Sequence, residues 1–525
     1  MYKWLFVLSV FVSIDGISQT NYWQQEVNYR IDVTLNDQAH SLHGNIAVDY
    51  LNHSPDTLHY IWFHLWPNAY KNDKTALAKQ LTADRTGRKS FRNKEAGWID
   101  SLNFEIDGRK VIVEPHPEHI DVVKLLLSVP LLPGSKTQIK TPFVVKLPEY
   151  FSRSGHDGQQ YFICQWYPKP AVYDKKGWHP MPYLDQGEFY SEYGSFDVTI
   201  SLPADYVVGA TGILQTRKEF DLYKTIGAAN YRDREAGPVH PYQATATAQL
   251  KRLNYTASNV HDFAWFADKD FVIQYDTLLL PSGKITDVFS FYQPNGNKEW
   301  RNSISFIEDA VTNYSAWLGE YPYPAAQAVE GPKNASSGGM EYPMITLITS
   351  PDEGREGLDA VITHEVGHNW FYGILGTNER DHPWMDEGLN TFYQFRYEAT
   401  KYRSNAIFGK EVPNELKSLS VPEFLDRIFG ALNNLPAKKA INTSSTAFAN
   451  KDEYGIVVYI KTAVWLYIVQ NSVGQPALDK AMHNYFDKWK FRHPYPEDLK
   501  AALEESIDTN LNNLFELLDK QGNFK

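Results

Sequence analysis

The sequence predicts a multidomain α+β protein, with an N-terminal antiparallel β-rich domain over residues 19–272 and a mainly helical domain over 273–525. Three observations predict it. Apolar and polar residues alternate through 29–35, 46–50 and 196–202; apolar residues recur at helical spacing from about Lys298; and the second part holds a His-Glu-x-x-His run between apolar flanks. With 525 residues, 43% of them hydrophobic and 14% aromatic, the chain can fill two or three cores.

The elements follow in chain order. Lys3 precedes an apolar run over 4–12, and small Gly16 and Ser18 stand before Gln19. That is the layout of a signal peptide over 1–18, so export to the periplasm or the extracellular space is expected. The run is too short for a bilayer and nothing later is read as long enough, so no transmembrane segment is expected. Alternating strands continue to roughly Phe271, broken by the turn 52–56. Few helices are expected there apart from 71–94, where eight Lys or Arg face two Asp. That stretch reads as a solvated insertion or a surface for acidic partners.

Helical spacing then takes over with Ile304, Phe306, Ile307 and Val311, followed by the Pro-rich 321–324 and a strand over 344–348. The histidine motif comes next, then helical stretches over 384–400, 459–469, 477–488, 496–505 and 511–519. Internal repeats and low-complexity segments are absent from the sequence.

Composition excludes several classes. The formal charge of −12 is unchanged by removing 1–18, which carries one Lys and one Asp, and it argues against nucleic acid as a partner. The single cysteine, Cys164, rules out an internal disulfide and a cysteine zinc ribbon. Neither a G-x-S-x-G elbow nor a G-K-[ST] loop occurs.

The remaining chemistry lies in Thr363-His364-Glu365-Val366-Gly367-His368, with eighteen residues between His368 and Glu387. A random chain this long contains H-E-x-x-H about 3% of the time, so the context has to carry the reading. Histidines four apart share one helix face and can reach one metal ion. Glu387 would add a third ligand, and two histidines with one glutamate leave a position open for water, the mark of a hydrolytic zinc site. Glu365, beside the first ligand, is placed as general base and acid. An oxyanion donor is also needed, and the residues alone do not choose it among 33 tyrosines.

The motif, its spacing to Glu387, the preceding Gly338-Gly339-Met340-Glu341 and the downstream Val458-Tyr459-Ile460-Lys461-Thr462-Ala463 together resemble the M1 family of zinc aminopeptidases, gluzincins that include aminopeptidase N and leukotriene A4 hydrolase. The resemblance implies a thermolysin-like catalytic domain after the β-rich one, one zinc per chain held by His364, His368 and Glu387, and Glu365 as base. It implies Tyr459 as the residue stabilising the tetrahedral intermediate, and Tyr454 as a second active-site tyrosine. Glu341 would bind the free α-amino group, so that the site measures from the amino terminus and the substrates are peptides with a free amino end. Gly338, Gly339 and Met340 would let substrate backbone approach, and Gln165 would contact substrate.

Departures from the family pattern are Tyr342, Asp386 and Thr462, where Asn, Asn and Gly are usual, and Tyr167, where some members place a second amino-binding glutamate. The chain resembles a short form without the family's large C-terminal helical domain, so an open cleft is expected. Two further readings stay open: a zinc endopeptidase of the same class and a non-catalytic peptide-binding relative. The epoxide hydrolase activity of one branch of the family is not decided by residues alone, and oligomeric state is not legible.

Overall fold

The computed structural model describes residues 22–83, 96–235, 237–243, 249–333, 338–349, 354–408 and 412–524. The signal segment expected over 1–18 lies outside the described residues, as does 84–94 of the basic stretch, whose earlier part forms the short helix Ala76–Ala83.

Alternation along the sequence is realised in a nine-stranded sheet. Its order is Ile213–Leu214, Leu250–Val260, Gly194–Pro203, Glu26–Asn36, Ser41–Leu51, Lys136–Lys146, Glu105–Ile106 and Arg109–Lys110, with Trp98–Asp100 also paired to Lys136–Lys146. Along Glu26–Asn36 every second side chain is buried, from Val27 to Leu35, because successive Cβ atoms point to opposite faces. Ile31 stands opposite Ile46 on one side and Val198 on the other.

Two expectations for this half need correction. Glu26–Asn36 and Gly194–Pro203 pair in parallel, not antiparallel. A parallel pair requires a long crossover, and the intervening chain provides one, building the sheet Lys169–Pro170, Leu58–His64, Val122–Leu131, Ile112–Pro115 on the way. The half also contains a sixteen-residue helix, Arg217–Arg232. It buries only Glu219, Tyr223, Gly227 and Asn230, and Gly227 meets Tyr275 where a Cβ would lie 2.6 Å from the Tyr275 Cβ. With Tyr223 the one apolar side chain among these four, the helix leaves little apolar periodicity to read.

A five-stranded sheet begins at Val272, in the order Val272–Leu279, Ile285–Tyr292, Ala325–Glu330, Ile345–Ile348, Gly339–Tyr342. Its last strand is an edge, antiparallel to Ile345–Ile348. Against it lie Ser303–Trp317 and the histidine helix Arg355–Gly367, and the glutamate helix Glu387–Lys401 packs on those two helices. A continuous helical run, Lys451–Val473, is 23 residues long, and its most apolar 18-residue window has mean hydropathy 1.3. By length and composition it is sufficient to cross a membrane, against the expectation that no later stretch is. It is a core helix, with 67% of that window buried within the protein.

The two halves share one buried apolar core. Polar contacts also join them: Gln327 Nε2 donates to the Ala210 carbonyl at 2.8 Å, and His493 Nε2 lies 3.1 Å from Glu192 Oε2 with both side chains buried.

Candidate active site

The histidine helix ends at Gly367 and His368 forms its C-cap, still in αR conformation, with its N–H donating to the His364 carbonyl at 3.3 Å. The two imidazoles therefore remain one turn apart on one face. Glu387 opens the glutamate helix, so its side chain projects from a helix start toward that face. Gly367 permits the crossing of the two helices: a Cβ there would lie 2.1 Å from Asn390 Oδ1, and Asn390 Nδ2 donates to the His364 carbonyl at 2.7 Å.

The three ligand atoms form a near-equilateral triangle. His364 Nε2 lies 3.1 Å from His368 Nε2 and 3.2 Å from Glu387 Oε2, and His368 Nε2 lies 3.3 Å from that oxygen. Tetrahedral zinc with bonds of 2.0–2.1 Å spaces its ligands about 3.3 Å apart. Each imidazole is also held from behind: Asp386 Oδ1 accepts from His368 Nδ1 at 2.6 Å, and Gln394 Oε1 accepts from His364 Nδ1 at 2.8 Å. That fixes the tautomers and leaves both Nε2 lone pairs facing the triangle. The residues present fit zinc.

Around the triangle is a cavity of about 380 Å³ lined by Gly338, Gly339, Met340, Glu341, Glu365, Tyr454 and Tyr459 among others. Glu365 is buried with Oε2 unpartnered, and burial pushes its carboxyl up to about 7. Tyr459 donates its hydroxyl to Glu387 Oε1 at 2.5 Å, and Tyr454 packs edge-on against the Tyr459 ring with centroids 6.0 Å apart. Tyr459 sits within a π-helical segment, Gly455–Lys461, inserted in the long core helix. Thr462 follows it without a clash because Gly388 faces it, where a Cβ would lie 2.3 Å from the Thr462 Cβ.

Glu341 lies on the edge strand, 8% exposed, with Oε1 unpartnered, and burial raises its pKa well above the ordinary value. Gly339 has a more specific role than open approach: a Cβ there would stand 2.5 Å from Glu365 Cδ, so its absence makes room for that carboxylate. Met340 is buried and its Sδ accepts from Arg153 Nε at 3.1 Å. Gln165 is not among the residues lining the cavity. It is 3% exposed and accepts from the Tyr342 hydroxyl at 3.2 Å, while Tyr167 donates to Asp262 at 2.8 Å in the core.

Asp386, one of the departures from the family pattern, turns its carboxylate to His368. Gln394 was missed although it lies seven residues beyond Glu387 on the same helix face, a spacing that could have marked it. Arg153 and Glu188, both in the cavity wall, carry no local signal because their segment reaches the site only through the fold.

A β-rich half leads into helices that present two histidines, a glutamate and an unpartnered carboxylate to one cavity, a set of groups suited to metal-assisted hydrolysis. Residues 309–518 match the model of the peptidase family M1 domain. The chain is 25% identical over 253 residues to aminopeptidase N of Lactobacillus delbrueckii subsp. lactis, a match covering 46% of this chain and 29% of that protein. It thus spans under a third of that relative's length. Among solved structures, a mutant two-domain M1 zinc metallopeptidase bound to L-arginine superposes with TM-score 0.62 at 13% identity, covering 96% of each chain. A mutant M1 zinc metallopeptidase from Deinococcus radiodurans bound to a Tyr-Ser-Ala substrate gives TM-score 0.62 at 12% identity, again covering 96% of each. The fold is that of the two-domain M1 metallopeptidases.

Proposed function

We propose that the chain is an exported zinc aminopeptidase that hydrolyses the N-terminal bond of peptides with a free amino end, using one zinc per chain. The observation that carries this reading is that Glu365 and Glu341 each keep a buried carboxylate oxygen unpartnered in the cavity that holds the ligand triangle. The family match and the aminopeptidase relative support it, as does the peptide bound by the Deinococcus structure. Export rests on the pattern of residues 1–18.

His364, His368 and Glu387 would hold the zinc, which when bound supplies Lewis acidity toward the scissile carbonyl and the attacking water. Glu365 takes the proton of that water and returns it to the leaving nitrogen; a carboxyl raised by burial toward neutrality is suited to both transfers. Tyr459 turns its O–H from Glu387 to the developing oxyanion. Glu341 pairs with the substrate ammonium at a fixed distance from Glu365, so the first peptide bond is the one presented.

A panel of amino-acid 4-nitroanilides, each free and acetylated, tests this with wild type and Glu365→Gln, zinc content measured in both. Cleavage of the free substrates alone, reduced at least 10²-fold in the zinc-loaded variant, is expected. Equal cleavage of acetylated substrates would move the reading to an endopeptidase, and a zinc-loaded wild type inert on the whole panel would move it to a binding role.

A further inference from the structure

Two carboxylates in the cavity wall belong to none of the motifs: Asp185, which is paired with Lys451, and Glu188. Glu188 ends the segment 185–188, all of which lines the cavity. The segment is held from several sides. Gln80 Oε1 accepts from the backbone of Asp185 and Gln186 at 2.7 and 3.1 Å, Gln186 Nε2 donates to the Ser445 carbonyl at 3.1 Å, and Arg380 donates to the Glu188 carbonyl at 3.2 Å. Gly187 takes φ +81°, and a Cβ there would strike Ser445 Oγ at 2.2 Å.

The side chain is fixed as well. Arg153 donates from Nη2 to Glu188 Oε1, and its other N–H groups reach the Leu184 and Asp185 carbonyls and Met340 Sδ, each at 3.1 Å. One guanidinium therefore ties the Glu188 segment to the edge strand that carries Glu341. Glu188 is 9% exposed and its Oε2 has no partner; Glu341 is 8% exposed and its Oε1 has none. A buried acceptor without a donor costs free energy, so two of them in one preorganised cavity point to a ligand that brings several N–H donors and a positive charge. A primary ammonium brings three donors and one charge. Arg153 balances one of the two carboxylates, which leaves one negative charge for the ligand to meet.

Resting on the aminopeptidase reading above, the geometry points to Glu188 as a second receptor for the substrate's amino terminus, acting with Glu341. The upstream position where a second carboxylate was sought holds Tyr167, turned into the core, and a later segment brings the carboxylate instead. Glu188 is thus a specificity-determining residue for free amino ends, whatever the first side chain.

The test compares inhibitors of the zinc-loaded enzyme: leucine hydroxamate, its des-amino counterpart 4-methylpentanoyl hydroxamate, and the arginine and lysine hydroxamates. Wild type should prefer the amino form, and Glu188→Gln should lose about tenfold of that preference with the des-amino affinity kept within about twofold. If wild type shows no preference, the aminopeptidase reading itself fails. If wild type shows it and Glu188→Gln keeps it in full, only the Glu188 assignment fails. Loss confined to arginine and lysine hydroxamates would also overturn it, in favour of a side-chain pocket. Because Glu188→Gln leaves Arg153 buried and unpaired, the double variant Arg153→Met with Glu188→Leu repeats the measurement should the single one not fold.

Discussion

Asp386 grips His368 through Nδ1, and both side chains are fully buried. Such a partner orients the ligand and raises its basicity, and removing one commonly costs 10–100-fold in metal affinity. Asp386→Ala should therefore weaken zinc binding by about that factor in a chelator competition titration; unchanged affinity would show that the aspartate only packs. Gly339→Ala drives a methyl into Glu365 at 2.5 Å. It should lower kcat by at least about tenfold while zinc content stays at the wild-type level; full activity would mean that the strand can shift. At this scale the sequence was legible wherever chemistry imposes a spacing. His364, His368 and Glu387 declare themselves because helix geometry fixes how far apart ligands of one ion lie. Arg153 and Glu188 do not, since they meet the site through tertiary packing, and Gln165, placed in the cavity by analogy, lies instead under Tyr342.

The glutamate helix links the metal site to the protein's response to pH. Gln394, which holds His364, donates from Nε2 to Glu398 Oε1 at 2.7 Å one turn later. Burial pushes the Glu398 carboxyl up to about 8. The folded state thus keeps a proton that the unfolded chain releases near the ordinary glutamate value, so the stabilisation is full below that value and is lost as pH rises toward 8. Thermal midpoints should fall across pH 5 to 8, and Glu398→Gln should flatten that slope; an unchanged slope would assign it to other groups. Elements with an apolar period were readable in advance, as Glu26–Asn36 and Ser303–Trp317 show. Arg217–Arg232 was not, because Tyr223 is the one apolar residue among the four it buries, and the parallel pairing was not, because strand direction is decided by the crossover and not by the strand.

Across the whole molecule, the buried Glu192–His493 contact joins a residue just before strand Gly194–Pro203 to the end of the helical half. Removing one member of a buried pair strands the other, at about 3–5 kcal/mol. Glu192→Ala should lower the unfolding midpoint of the entire chain in one transition, read by calorimetry. Two separate transitions, with only one moved, would show that the halves unfold independently. The shared core favours the single transition. A class of fold could be read from where one periodicity gives way to another, but the joint between the halves could not, since its residues are hundreds of positions apart and none carries a motif.

The π-helical segment Gly455–Lys461 makes the angular setting of Tyr459 depend on a single surplus residue. Each residue of a helix advances the chain by about 100° around its axis. Deleting one residue between Gly455 and Val458 would let the segment rewind as ordinary α-helix, and Tyr459, inside that segment, would turn off Glu387 while the apolar remainder of Thr462–Val473 kept its seat. The hydroxyl of Tyr459 is thus aimed as by a dial, set by counting residues and not by the identity of its neighbours.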